Sequence, residues 1–150
     1  MLVLLSDHGE EFFEKGAFGH EQRPFNANLH IPLIVWSPRR VQAETISRPV
    51  SLIDVSPTIA EFAHAAVPRT WRGKSLFDPS ERDVVSQIVD CEGDLTSPEY
   101  LGATLISQGH KFIDFKGQQM LFSMDDMAER RDLVREKPNL AKELKKKLNS

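Results

Sequence analysis

Met1-Leu2-Val3-Leu4-Leu5 runs straight into Ser6-Asp7-His8-Gly9-Glu10-Glu11, and the reading of this junction decides the fold. Five successive apolar residues ended by a polar turn predict a short strand buried on both faces. Such a strand belongs in the middle of a parallel sheet. In open α/β sheets chemistry collects at the carboxyl ends of the strands, so the polar residues after Leu5 are the first place to look for a site.

Working outward, residues 6–29 are polar, acidic and aperiodic, and read as a long loop with one helical turn at Glu10–Glu14. A loop of this length in a compact domain is usually functional. Ile31-Pro32-Leu33-Ile34-Val35-Trp36 predicts a second strand, with Pro32 tolerated only near its start or at an edge. Ser51–Ala66 predicts a helix: Asp54 or Ser56 can cap it, Pro57 suits its first turn, and Ile59, Phe62, Ala63 and Ala66 share one face. The pattern then changes. Asp83–Val89, Tyr100–Ser107, Lys111–Phe115 and Gln118–Ser123 carry strand residues, with hairpin breaks at Gln108-Gly109 and Lys116-Gly117. Pro138–Leu148 closes the chain as a helix with Leu140, Leu144 and Leu148 on one stripe. These elements predict an α/β fold in two parts. Residues 1–79 are the end of an α/β sheet domain, and 80–150 a small antiparallel sheet with a terminal helix.

Composition excludes several classes. The 150 residues carry 19 basic and 22 acidic side chains, a net charge of −3 that argues against a general nucleic-acid binder. Cys91 is the only cysteine, so an intrachain disulfide and a cysteine-rich zinc module are both ruled out. No apolar run approaches the roughly 18 residues of a membrane span, and no signal-peptide pattern is visible at the N-terminus. The compartment is not legible.

Asp7 and His8 are the candidate metal ligands. A carboxylate offers a hard oxygen and a neutral imidazole a borderline nitrogen, and a turn at Gly9 lets neighbouring side chains face one site. Glu10 and Glu11 add negative potential. His20, twelve residues after His8 and preceded by Gly19, is a candidate to bind an oxyanion or protonate a leaving group. Lys15 is a second oxyanion candidate. The plainer reading is that an Asp-His pair in a loop caps or turns the chain. His30, His64 and His110 read as structural or surface residues.

The segment Ser6-Asp7-His8-Gly9-Glu10-Glu11-Phe12 with Gly19-His20 resembles the metal-site segment of the sulfatase branch of the alkaline phosphatase superfamily. His30-Ile31-Pro32-Leu33-Ile34-Val35-Trp36 is similar to the family's Val-Pro-Leu-Ile strand, and Pro49–Thr58 to its segment running into a helix. Arg72-Gly73-Lys74-Ser75-Leu76 resembles its Gly-Arg-Ser-Leu turn, and Leu121–Asp125 leading to Arg131-Asp132-Leu133 resembles its C-terminal ending. The blocks occur in family order along nearly the whole chain.

The resemblance implies the C-terminal part of an alkaline-phosphatase-like fold and a metal-dependent hydrolase of sulfate esters, or of phosphate or phosphonate esters in related branches. It implies a divalent metal, Ca²⁺ first and Mn²⁺ or Zn²⁺ as alternatives, held by Asp7 and His8, with His20 and Lys15 toward the substrate. Typical sulfatases carry a Lys near the position of His20, which leaves sulfate against phosphate open. The family's nucleophile motif, Cys/Ser-x-Pro-Ser/Ala-x-Arg, does not occur in these residues, and Cys91-Glu92-Gly93-Asp94 cannot supply it. The Asp-Asp pair that completes the metal site has no counterpart before Asp7. The expectation is therefore a chain inactive alone, completed by an N-terminal part, with self-association through residues 1–5 as a further expectation. A non-catalytic binding or assembly module on the same scaffold is the alternative.

Overall fold

A computed structural model describes residues 1–38, 42–90 and 99–150. Cys91, named above, lies outside the described residues. The architecture is mixed α/β and divides into two compact units, Met1–Glu44 with Val85–Ser150, and Thr45–Val84.

The first unit is organised around a four-stranded sheet of order β5-β6-β7-β8, formed by Val84–Asp90, Glu99–Ser107, His110–Phe115 and Gln118–Ser123. The pairs β6–β7 and β7–β8 are antiparallel, with Ser107 opposite His110 and Phe115 opposite Gln118. Both hairpins turn through residues of positive φ, Gln108-Gly109 at 52° and 70° and Lys116-Gly117 at 48° and 78°. That geometry matches the right-handed twist of the flanking strands, so these breaks were readable in the sequence. The helix α3, Pro138–Leu148, has the bounds that its Leu stripe predicts.

Alternation along β7 sorts its side chains to the two faces of the sheet. Phe112 joins Leu105, Leu121, Leu133, Ala141 and Leu144 beneath α3. On the other face Ile113 packs with Phe25 and Phe122. Lys111 shares the Ile113 face and is only 1% exposed, yet its Nζ lies 2.7 Å from Glu129 Oε1 and 2.8 Å from Asn26 Oδ1. Glu129 Oε2 accepts from the backbone N–H of Asn26 at 3.0 Å. Burial pushes the Lys111 ammonium below its ordinary pKa, and the Glu129 charge opposes the shift. This buried knot ties the sheet to α1, the single helical turn Asn26–Leu29.

The N-terminal segment differs from expectation in two ways. β1, Leu2–Leu5, pairs antiparallel with β4, Leu33–Trp36, in a two-stranded ribbon, and not within a parallel sheet. Leu2, Leu4, Ile34 and Trp36 are each more than half exposed, so the strand is not buried on both faces. The apolar run was a sound sign of a strand. Burial requires layers above and below, and none covers these side chains among the described residues. Secondly, Glu10–Glu14 is not helical. Glu11–Phe12 (β2) and Phe18–Gly19 (β3) form a small hairpin instead, with Glu11 opposite Gly19 and Phe12 opposite Phe18.

In the second unit the helix α2 spans Val55–Phe62, shorter than 51–66, and is entered through a 3-10 turn at Leu52–Asp54. His64, at φ 55°, stops it. Asp54 is more than a cap. Its buried carboxylate accepts from Ser51 N at 2.8 Å and Lys74 N at 2.9 Å, and pairs with Arg82. Thr58 donates to Asp54 O at 2.6 Å and accepts from Leu76 N at 2.8 Å. The Arg72–Leu76 turn is held to the helix entry by these bonds.

Candidate functional site

Where β1 ends, the chain turns within three residues. Ser6 Oγ donates to the carbonyl of His8 at 2.9 Å, and the His8 N–H donates to Asp7 Oδ1 at 3.0 Å. Gly9 follows for a steric reason. A Cβ there would sit 1.9 Å from the carbonyl oxygen of Ala27, and the Gly9 N–H donates to Asn28 O at 2.8 Å. Close backbone approach, not a positive φ, requires this glycine.

Asp7 Oδ1 lies 3.9 Å from His8 Nε2, so the two side chains stand beside each other at the mouth of β1. Backbone hydrogen bonds, first its own and then that of His8, hold the Asp7 carboxyl below the usual carboxylate range, and the nearby His8 ring acts in the same direction. The His8 ring is shifted up, chiefly by its bond to the Gly9 carbonyl at 2.8 Å and then by the charges of Asp7 and Glu10.

The β2–β3 hairpin decides the rest. Register Glu11 opposite Gly19 places Glu10 and His20 as the next facing pair, and His20 Nδ1 lies 3.1 Å from Glu10 Oε1. The His20 ring then meets the His8 ring with centroids 4.5 Å apart and planes 30° apart. His8, Glu10 and His20 each offer one ligand atom, and these atoms lie within 4.8 Å of one another. All three residues are exposed to solvent. Twelve residues of sequence separation are closed by one hairpin.

The two acidic residues after Gly9 separate by strand alternation. Glu10 faces the histidines. Glu11 is fully buried, paired with Arg23 at 3.0 Å and accepting from Asn28 Nδ2 at 3.1 Å. Its charge is neutralised inside the fold and adds little potential at the site. Lys15 is likewise engaged elsewhere: its Nζ donates to the Glu129 carbonyl and stands 5.3 Å from the Phe25 ring centroid. The structure thus gathers Asp7, His8 and His20, adds Glu10, and holds Lys15 on the buried knot. Glu10 was legible only as background charge, because its role needs the hairpin register. The hairpin also carries the exposed rings of Phe12 and Phe18, with centroids 5.8 Å apart.

Residues 1–65, which contain this entire arrangement together with β4 and α2, match the sulfatase family model. The likeness to the sulfatase family is carried by these residues. Among curated sulfatases the chain is similar to Arylsulfatase K of Xenopus laevis, 37% identical over 76 residues, covering 51% of this chain and 14% of that protein. Arylsulfatase K of Homo sapiens is 32% identical over 77 residues, with the same coverage of 51% and 14%. An arylsulfatase of Clostridium perfringens aligns over 136 residues at 22% identity, covering 83% of this chain and 27% of that protein. Among solved structures, a phosphonate monoester hydrolase from Silicibacter pomeroyi superposes with TM-score 0.76 at 22% identity, over 97% of this chain and 33% of that one. That likeness shows the shared alkaline-phosphatase-like fold. The chain therefore spans about a seventh of the Arylsulfatase K proteins it matches and a third of the phosphonate monoester hydrolase.

The donor set suits a divalent cation. Asp7 and Glu10 supply hard carboxylate oxygens, His8 and His20 supply imidazole nitrogens, and none of the four is locked into the core.

Proposed function

We propose that this chain is the C-terminal part of a metal-dependent sulfatase-type hydrolase of sulfuric esters, with residues 1–79 closing its α/β domain and 80–150 forming a small C-terminal subdomain. Asp7 and His8 are the metal ligands, and His20 faces the ester oxyanion or its leaving group. Lys15 serves the substrate indirectly, by holding the loop to the buried knot. A divalent cation, Ca²⁺, Mn²⁺ or Zn²⁺, supplies Lewis-acid polarisation of the ester oxygens when bound. The observation that carries this reading is the arrival of Asp7 and His8, side by side at 3.9 Å, directly at the end of β1.

The nucleophile has to come from outside these 150 residues, since the Cys/Ser-x-Pro-Ser/Ala-x-Arg motif does not occur in them. The open apolar side chains of the β1–β4 ribbon support an association there with the N-terminal part of the protein or with a second copy. A phosphate or phosphonate ester is the second reading, favoured by His20 standing where typical sulfatases carry Lys. Without a partner nucleophile the same scaffold is a binding or assembly module.

Calorimetric titration with Ca²⁺, Mn²⁺ and Zn²⁺ tests the reading. Asp7→Asn and His8→Ala each weaken the preferred cation at least about tenfold, the scale of losing a ligand or its support. Unchanged affinity in both variants overturns it. Aryl sulfate and aryl phosphate, offered in parallel with the cation, separate the two ester classes, and robust turnover that survives Asp7→Ala refutes the assignment.

A further inference from the structure

Resting on the hydrolase reading above, we infer that Phe12 and Phe18, with Phe13 beside them, form the subsite for the leaving group of the ester, and that this group is an apolar aromatic ring. The three rings set specificity on the alcohol side of the substrate, apart from the residues assigned to the cation and the oxyanion.

Strand alternation puts them there. In the β2–β3 hairpin Glu11 faces Gly19 and Phe12 faces Phe18. Side chains two residues apart on a strand share one side of the ribbon, as do those of a facing pair. Phe12 and Phe18 therefore stand on the same side as Glu10 and His20, two residues further along, a displacement of about 7 Å. The other side is turned to the fold, where Glu11 is fully buried against Arg23 and Asn28. An ester whose leaving oxygen meets His20 extends its alcohol group along the ribbon, onto these rings.

The rings are fixed before a ligand arrives. Phe12 meets Phe18 edge to face at 81°, with centroids 5.8 Å apart, and Phe13 lies against Phe18 at 5.4 Å and 33°. The tip is closed by the Phe13 N–H donating to Ala17 O at 2.8 Å and the Gly16 N–H donating to Phe13 O at 3.1 Å. All three side chains are more than 60% exposed. Apolar residues scattered singly are normal on a surface, but three adjacent rings mark a binding patch. Side-chain type then selects the occupant. Phenylalanine lacks the polar handle of Tyr or Trp. The two charged groups of the tip are engaged elsewhere, Glu14 accepting from the Phe12 N–H and Lys15 donating to the Glu129 carbonyl. A sugar hydroxyl finds no partner among the three rings, whereas an aromatic ring gains stacked or edge-to-face contact with them.

Binding is the readout, because the nucleophile lies outside these residues. The full chain, loaded with its preferred cation, is titrated by ligand-observed NMR with phenyl and methyl sulfate, and with phenyl and methyl phosphate. In the ester class that binds, the phenyl compound binds about three- to tenfold more tightly than the methyl one. Phe12→Ala and Phe18→Ala each remove most of that preference and leave methyl ester affinity unchanged. If they weaken the methyl ester as well, the hairpin has been disturbed, and Phe12→Leu and Phe18→Leu decide: these keep the cross-strand apolar pair, lose the flat face, and still lower the phenyl-to-methyl ratio. The inference is overturned by a ratio near one in the wild type, by no detectable binding of either phenyl ester, or by a ratio that survives the substitutions. It is overturned too if light scattering shows the wild type self-associating and the Phe variants monomeric, since the rings then belong to an interface between copies. If Asp7→Asn and His8→Ala weaken the cation while the ratio is one, the proposed function stands and the ring subsite falls. If they leave the cation unaffected while the ratio depends on the rings, the metal assignment falls and the subsite stands.

Discussion

Replacing Glu129 by Gln should destabilise the chain far more than an isosteric change suggests. Glu129 is 3% exposed and Lys111 1%, and their ion pair at 2.7 Å sets a countercharge directly against that ammonium. The Gln carbonyl can take over one of the two bonds that the carboxylate accepts, from Lys111 Nζ or from Asn26 N. Its amide group then points a donor at the other. Removing one partner of a buried pair costs about 3–5 kcal/mol, because a charge is left desolvated and uncompensated. That is a large part of the about 5–15 kcal/mol that holds an ordinary domain together. In urea unfolding followed by far-UV circular dichroism, with a slope of about 2 kcal/mol per molar, the midpoint falls by about 1.5–2.5 M. The double variant Lys111→Met, Glu129→Gln removes the stranded charge and recovers most of that loss. A midpoint shift below about 0.5 M in the single variant, or no recovery in the double, refutes the reasoning.

The same lysine gives a pH dependence. Burial lowers its pKa in the folded state, so between that lowered value and the ordinary value of about 10.4 the unfolded chain binds more protons than the folded one. Stability of wild type relative to Lys111→Met therefore rises with pH over this alkaline window, and a flat or falling difference in urea midpoints counts against it. Gly9→Ala places a Cβ 1.9 Å from a backbone oxygen and costs about 1–3 kcal/mol as an overpacked contact. Hydrogen exchange reads it directly: the Gly9 amide, bonded to Asn28 O, loses protection, and retained protection would sink the prediction. Asp54→Ala strands the N–H groups of Ser51 and Lys74 and the Arg82 guanidinium, for a loss of roughly 3–5 kcal/mol by thermal unfolding. A loss under about 1 kcal/mol shows that water replaces the carboxylate.

Local chemistry was sufficient for much of this protein. Hairpins at Gln108-Gly109 and Lys116-Gly117, the Leu140–Leu144–Leu148 stripe, the strand at the N-terminus and the Asp7-His8 pair at its end all follow from turn preference, side-chain period and ligand type among near neighbours. Tertiary structure alone decided three things. It set β1 antiparallel to β4 with its faces open, because an apolar run specifies a strand but not what lies above and below it. It split Glu10 from Glu11, one to the histidines and one into an ion pair with Arg23, because alternation has meaning only once a register exists. And it buried Lys111 against Glu129, since a lysine reads as a surface residue until the partner that compensates its charge arrives from eighteen residues away.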